Sequence, residues 1–366
     1  MARTTIGRIQ KLIAESKRPL VIVGNGARGS DFMKLNIPII TTRLGLDLIP
    51  TDHRLFVGRP GLVSERVSHF AIQQADFILI LGARLDTGFI GYEPKDWGRH
   101  ATKVIVDIDK EELKKTPFGI KINMDTREFV TQLLPAKTTY PFHWLWRINE
   151  WKERYPLGTS GSYGYIQEIS RLAKGDDVVV VDTSSAFHIT AQVWKIKEGQ
   201  RYITTGGIST MGYWPASIGA ALASHRRVIC ITGDGCLQMN IQELATVVKH
   251  RLNIKIFLLN NNGYLLIRHT QRTHLDNRLI GEGPKSGLGF PNFKTIARGY
   301  GMPYTTSITT ALKAKGPILC ELKTPYWEKL EPRIASSKNS DGSFRNRPFE
   351  DLSPYLAEDE LNLELL

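Results

Sequence analysis

The sequence has no long apolar run. Nowhere in its 366 residues do the roughly 18 uninterrupted apolar positions of a membrane-spanning helix occur, so no membrane span is expected. Cysteine is scarce: the chain has three, Cys230, Cys236 and Cys320, and none forms a C-x-x-C pair. That excludes a disulfide frame and fits a reducing compartment, the cytoplasm. The amino terminus, MARTTIGRIQKLIAESKRP, is amphipathic and lacks the apolar core and cleavage site of a signal peptide. A basic tail is missing as well. The net charge of +12 is scattered through both halves, which argues against a nucleic-acid surface and for phosphorylated ligands or an acidic partner.

What is there reads as α/β, with length for two domains. RPLVIVGNGA (18–27), IPIITT (37–42), DFILILGARLD (76–86) and KVIVDID (103–109) are Ile-, Val- and Leu-rich runs bounded by Gly, Pro or Asp. They suit strands buried on both faces, and they alternate with amphipathic helical stretches at 4–16, 62–74 and 125–134. A second series follows: strands over 177–184, 201–206, 227–235, 254–262 and 317–323, with helices over 163–173, 187–195, 213–223, 240–249 and 292–299. Two doubly wound parallel-sheet domains are therefore expected, over 1–135 and 163–330. The Pro- and Trp-rich segment 136–162 reads as a linker. In it Trp144, Ile148, Trp151 and Tyr155 make one helix face, a packing stripe rather than a base-stacking platform. Residues 331–366 read as an extended arm ordered by packing on another surface.

Residues 233–235 read GDG and residues 260–264 read NNNGY, with Asn261 lying 27 positions after Asp234. Each motif closes a strand, so Asp234 emerges at a strand's carboxyl end, where open α/β sheets place ligands. Gly233 and Gly235 leave the backbone bare, able to turn closely around an anion ahead of a helix. A carboxylate and an amide oxygen on adjacent strand ends are hard donors of the kind that Mg2+ shares with phosphate oxygens and water. Singly, either motif is no more than a turn. Together they point to Mg2+, held by Asp234, Asn261 and the carbonyl of Gly263, anchoring a diphosphate. Just beyond, RHTQRTHLDNR (268–278) carries three Arg and two His. It is either a solvated loop or a flap in which Arg268 and His269 meet a carboxylate or phosphorylated substrate.

The segment GDGCLQMNIQELATVVKHRLNIKIFLLNNNGYLLIRHTQ resembles the thiamine-diphosphate-binding segment of acetolactate (acetohydroxyacid) synthase-like enzymes. TTGGISTMGYWPASIGAAL (204–222) is similar to that family's cofactor-facing stretch. The likeness extends to VGRPG, GARLD and VIVDIDKEEL in the first half and to RPFEDLSPYL in the tail. It implies a Rossmann-like middle domain over 1–135 and a diphosphate- and Mg2+-binding domain over 163–330. It also implies that Met211 wedges under a bent cofactor, that the carbonyl of Ser209 and N–H of Met211 meet its aminopyrimidine edge, and that the N–H groups of Gly235 and Cys236 reach diphosphate oxygens. The family shows a Gly-Gln-His-Gln run where this chain has Ser184, Ser185 and Ala186. The two hydroxyls still offer hydrogen bonds to the diphosphate, but the departure resembles other relatives more than the pyruvate-condensing synthases.

GNGARG (24–29) matches G-x-G-x-x-G through Gly24, Gly26 and Gly29, yet the next strand leaves little room for the required helix. A tight turn is the favoured reading. The resemblance leaves FAD open, with contacts near Gly82–Arg84 and Asp107–Asp109, while VGRPGLVSER (57–66) departs from the flavin-bound pattern. The family's activating glutamate, which promotes proton loss from the cofactor, belongs to a pyrimidine-binding domain that nothing here resembles. A separate chain is expected to supply it in a hetero-oligomer, a heterotetramer. The expected activity is decarboxylation of a 2-keto acid followed by ligation to an acceptor carbonyl. The alternatives are a simple 2-keto acid decarboxylase and a non-catalytic regulatory subunit.

Overall fold

The computed structural model describes residues 2–134, 141–206, 210–338, 341 and 344–365. It divides into Met1–Leu157 with Glu331–Leu366, and Gly158–Leu330. In the first unit six strands form one parallel sheet: β1 Pro19–Val23, β2 Ile39–Thr41, β3 Phe56–Gly58, β4 Phe77–Leu81, β5 Thr102–Asp107 and β6 Ile120–Asn123, in the order β3-β2-β1-β4-β5-β6. Alternate residues feed opposite layers. Val21, Val23, Leu79 and Leu81 pack with Ile6, Ile9 and Phe129, while Leu20, Ile22, Ile78 and Ile80 pack with Phe70 and Ile72. This two-sided burial is why such strands read as unbroken apolar runs.

Strand order in this sheet reverses between β1 and β4, the place where such sheets open a ligand crevice. Here the two strand ends touch. Gly26 N–H donates to Gly82 O at 3.0 Å, and a Cβ on Gly24 would lie 2.1 Å from that oxygen. The chain after Gly24 makes short 3-10 turns, Asn25–Ala27 and Phe32–Leu35, where a dinucleotide motif needs a helix. Gly24 and Gly26 serve close backbone packing, while Gly29 serves a left-handed turn at φ 83°.

Two expectations need correction. The linker expected over 136–162 has its first residues outside the described ones. In the rest, the expected helix face is borne out as helix Phe142–Arg154, which buries Trp144, Ile148 and Trp151; what differs is that it belongs to the first unit's core and that the division falls after Leu157. The 331–366 segment is no arm awaiting another surface: it folds onto the same unit. Phe349 stacks on buried His69 with ring centroids 3.9 Å apart, and His69 Nδ1 meets the Phe349 carbonyl at 2.6 Å. At its end the buried Glu364 carboxylate accepts from Trp151 Nε1 at 2.7 Å and Arg147 Nη2 at 2.8 Å.

The second unit repeats the architecture. Strands β7 Val178–Val181, β8 Arg201–Ile203, β9 Val228–Gly233, β10 Ile254–Asn260, β11 Tyr304–Thr305 and β12 Ile318–Lys323 form a parallel sheet in the order β11-β12-β10-β9-β7-β8. The expected fold class, two doubly wound parallel sheets, is the observed one. Order reverses between β7 and β9, so a crevice lies past Val181 and Gly233. Among the described residues no helix is long and apolar enough to cross a membrane.

Trp151→Ala is expected to destabilise the first unit by about 3–5 kcal/mol through the cavity it leaves. Urea unfolding checks this; an unchanged midpoint would return helix Phe142–Arg154 to a linker.

Candidate metal and diphosphate site

Strand β9 ends at Gly233, and helix Asp234–Met239 begins at once. Asp234 is thereby carried into the crevice, 2% exposed. Its Oδ1 accepts from Gly235 N–H at 2.7 Å and its Oδ2 from Gly263 N–H at 3.1 Å. Burial pushes this carboxyl up to about 6, against the same backbone N–H groups, which favour the ionised form.

The three amides of NNNG divide their roles. Asn260, the last residue of β10, donates to Glu321 Oε1 at 2.6 Å and accepts from Asn262 N–H at 3.0 Å. Asn261 is buried and lines the cavity. Asn262 turns the chain in the left-handed region at φ 57°, which asparagine tolerates. The cavity holds about 240 Å3 and is lined by Asp234, Asn261, Gly263, Met211 and the first turn of helix Ser184–Val193. Gly235 keeps it open, since a Cβ there would lie 2.2 Å from Tyr264 Cε1 and 3.1 Å from Met211 Cε.

Thr183, Ser184 and Ser185 all reach the lining. Ser184 adopts φ 66°, a backbone state that favours glycine, so the serine stands in a position built for a bare backbone. Cys236 is buried and its thiol is pushed up to about 12, first by burial and then by Asp182. Ser209 lies outside the described residues. Asp182, fully buried, went unread in the sequence. Its carboxylate accepts from Tyr213 N–H at 3.1 Å, Trp214 N–H at 3.0 Å and Thr232 Oγ1 at 3.1 Å, which ties the segment after Met211 to the ends of β7 and β9.

The flap is corrected. Arg268 and His269 sit on helix Leu265–His274 and are both buried. The Arg268 guanidinium pairs with Glu282 and lies 3.5 Å over the Tyr326 ring. His269 Nε2 meets the Glu328 carbonyl at 2.8 Å, and its ring packs 4.4 Å from Trp327. Neither side chain can sweep over a substrate.

The donors fit Mg2+. Among the described residues no cluster of three His, Cys, Asp or Glu could hold a metal by side chains alone. The crevice instead offers the Asp234 carboxylate and the Asn261 amide, with Gly263 beside them in the lining, and such oxygen donors make the partial shell that Mg2+ completes with phosphate and water.

Residues 182–322 match the family described as "Thiamine pyrophosphate enzyme, C-terminal TPP binding domain", and residues 6–133 match "Thiamine pyrophosphate enzyme, central domain". Its two units carry thiamine pyrophosphate enzyme domains. The chain is 29% identical over 348 residues to the acetolactate synthase isozyme 1 large subunit of Escherichia coli, covering 88% of this chain and 61% of that one. It is 30% identical to the acetolactate synthase large subunits of Cyanidium caldarium (92% and 62% covered) and Lactococcus lactis (93% and 64% covered). The chain thus spans about three-fifths of the length of these relatives. The crevice at β7 and β9 lies in the TPP-binding domain, with Asp234 and Asn261 both inside the matched span.

Because the folded carboxyl of Asp234 titrates above its unfolded value of about 4, its ionisation opposes folding in the ligand-free protein. Stability from this group is therefore full below pH 4 and is lost as pH rises to about 6. Thermal unfolding with and without Mg2+ checks this. The metal should raise the midpoint at pH 7.5 and barely at pH 5, and Asp234→Asn should abolish the response.

Proposed function

We propose that this chain is the cofactor-anchoring subunit of a split, acetolactate synthase-like enzyme that decarboxylates a 2-keto acid and joins the remaining acyl fragment to an acceptor carbonyl. The observation that carries this reading is the convergence of buried Asp234 and Asn261 on one cavity with Met211. When bound, thiamine diphosphate supplies the electron sink for loss of carbon dioxide. The chain's own residues bind and orient. Asp234, Asn261 and the Gly263 carbonyl would hold Mg2+, and the N–H groups of Gly235 and Cys236 would meet diphosphate oxygens. Ser184 and Ser185 would add hydroxyl donors, and Met211 and the Ser209 carbonyl would fix the bend and the pyrimidine edge.

A second acid is needed. Among the described lining residues the one carboxylate is Asp234, which a bound metal would engage. Proton transfer at the cofactor calls for another group of matched pKa. We assign it to a glutamate on a separate pyrimidine-binding chain, in a heterotetramer. The apolar side chain of Ile267, 44% exposed and lining the cavity, supports a docking face there. Relatives named large subunits are, by that name, parts of larger assemblies.

Calorimetry with Mg2+ and thiamine diphosphate is expected to show joint binding that Asp234→Ala removes. Pyruvate turnover, assayed with and without an acceptor aldehyde, is expected only when the co-purified partner is present. Full activity of the isolated chain would overturn the split assembly, and no cofactor binding would overturn the reading itself.

A further inference from the structure

A fully buried ion pair stands behind the metal loop. Arg268 and Glu282 have side chains each 1% exposed. Removing two charges from water is costly, and a well-packed apolar pair is often as stable or more so. Stability alone therefore does not account for this pair; its directional bonds do. Arg268 donates to the carbonyls of Asn262 at 2.9 Å, Glu282 at 3.1 Å and Tyr326 at 2.5 Å. Both Glu282 oxygens accept from Tyr326 Oη at 2.8 Å, and the Glu282 carbonyl accepts from Tyr264 N–H at 2.8 Å. One planar guanidinium thus joins three separate segments, which a lysine's single ammonium cannot do.

The decisive contact is with the amide of Asn261. Arg268 Nη1 donates to Asn261 Oδ1 at 3.3 Å. An amide oxygen has two lone pairs, so one is engaged by Arg268 and the second is left for a cation. A flipped amide would set its NH2 against the guanidinium, donor against donor. Gly263 is held as tightly: at φ 155°, a Cβ there would lie 1.8 Å from Arg268 Nη2 and 2.1 Å from the Glu282 carbonyl. We infer that the Arg268–Glu282 pair is a positioning device that fixes the Asn261 amide oxygen and the Asn262–Gly263 backbone in the form that takes a divalent cation. This rests on the metal reading of the cavity and assigns Arg268 a role remote from substrate.

The test uses the full chain with Arg268→Lys, Glu282→Gln and the double variant Arg268→Met/Glu282→Met. Hydrogen exchange of the ligand-free protein reports the loop, and calorimetry with Mg2+ and thiamine diphosphate reports the site. Each variant that keeps the wild-type circular dichroism is expected to bind roughly 10–100-fold more weakly, as loss of a group orienting a metal ligand does. Exchange at amides 261–264 should rise at least about tenfold while the strand interiors stay protected. Arg268→Lys should not rescue binding, because the charge without the planar fork leaves the amide unfixed. Folded variants with wild-type affinity and unchanged exchange at 261–264 would overturn the inference. Should the wild type bind no thiamine diphosphate, the functional reading falls, and the exchange comparison alone decides whether the pair orders the loop. If the double variant does not fold, Glu282→Gln, which keeps the shape, gives the answer.

Discussion

The second unit is organised around a carboxylate that the fold drives out of water without giving it a cation in contact. Among the described residues no ion pair reaches Asp234; backbone N–H groups of Gly235 and Gly263 hold its oxygens instead. Such a group is poorly solvated and favours whatever brings positive charge and open coordination positions. The surrounding features then make sense together. Gly235 cannot carry a side chain, Asn262 must turn the backbone, and Asn261 must present oxygen and not nitrogen. Each is a condition for the same few ångströms of space.

Placement of that carboxylate follows from the parallel sheet. Because β9 lies between β10 and β7, its end has neighbours on both sides: the Asn261 turn after β10 and the Ser184 turn after β7. Asp182 then fastens the segment after Met211 to this corner through two backbone N–H groups and a threonine hydroxyl. Strand register thus brings donors from distant stretches of sequence to one corner. The likeness to thiamine pyrophosphate enzymes covers this architecture and the one in the first unit alike.

The sheets were legible because their central strands are buried on both faces, and a run such as VVVV or IKIFLL suits little besides a strand between two helical layers. Strands β3, β6 and β11 were not, being two to four residues long, and β6 alternates between half-buried and exposed positions. The packing face of helix Phe142–Arg154 was legible, but its place in the first unit was not, because what it packs against is remote in sequence, Phe349 and Glu364 included. The metal pair was legible because both residues close strands. Arg268 was misread for the opposite reason: its partners lie 14 and 58 positions onward, at Glu282 and Tyr326. From the sequence a basic run shows charge but not the carboxylate waiting for it. Asp182 was missed likewise, since one Asp after four valines gives no hint of the backbone amides it will collect.

The chain uses one architecture twice and leaves the crevice open once. Between β1 and β4 the backbones of Gly26 and Gly82 meet, whereas between β7 and β9 the Asp234 cavity remains. The two units would therefore respond differently to redesign. Grafting a new ligand onto the first would require prising apart main chains already in van der Waals contact, a cost spread over the whole sheet. In the second, altering Ser185 changes a wall of a space that the strands already keep apart.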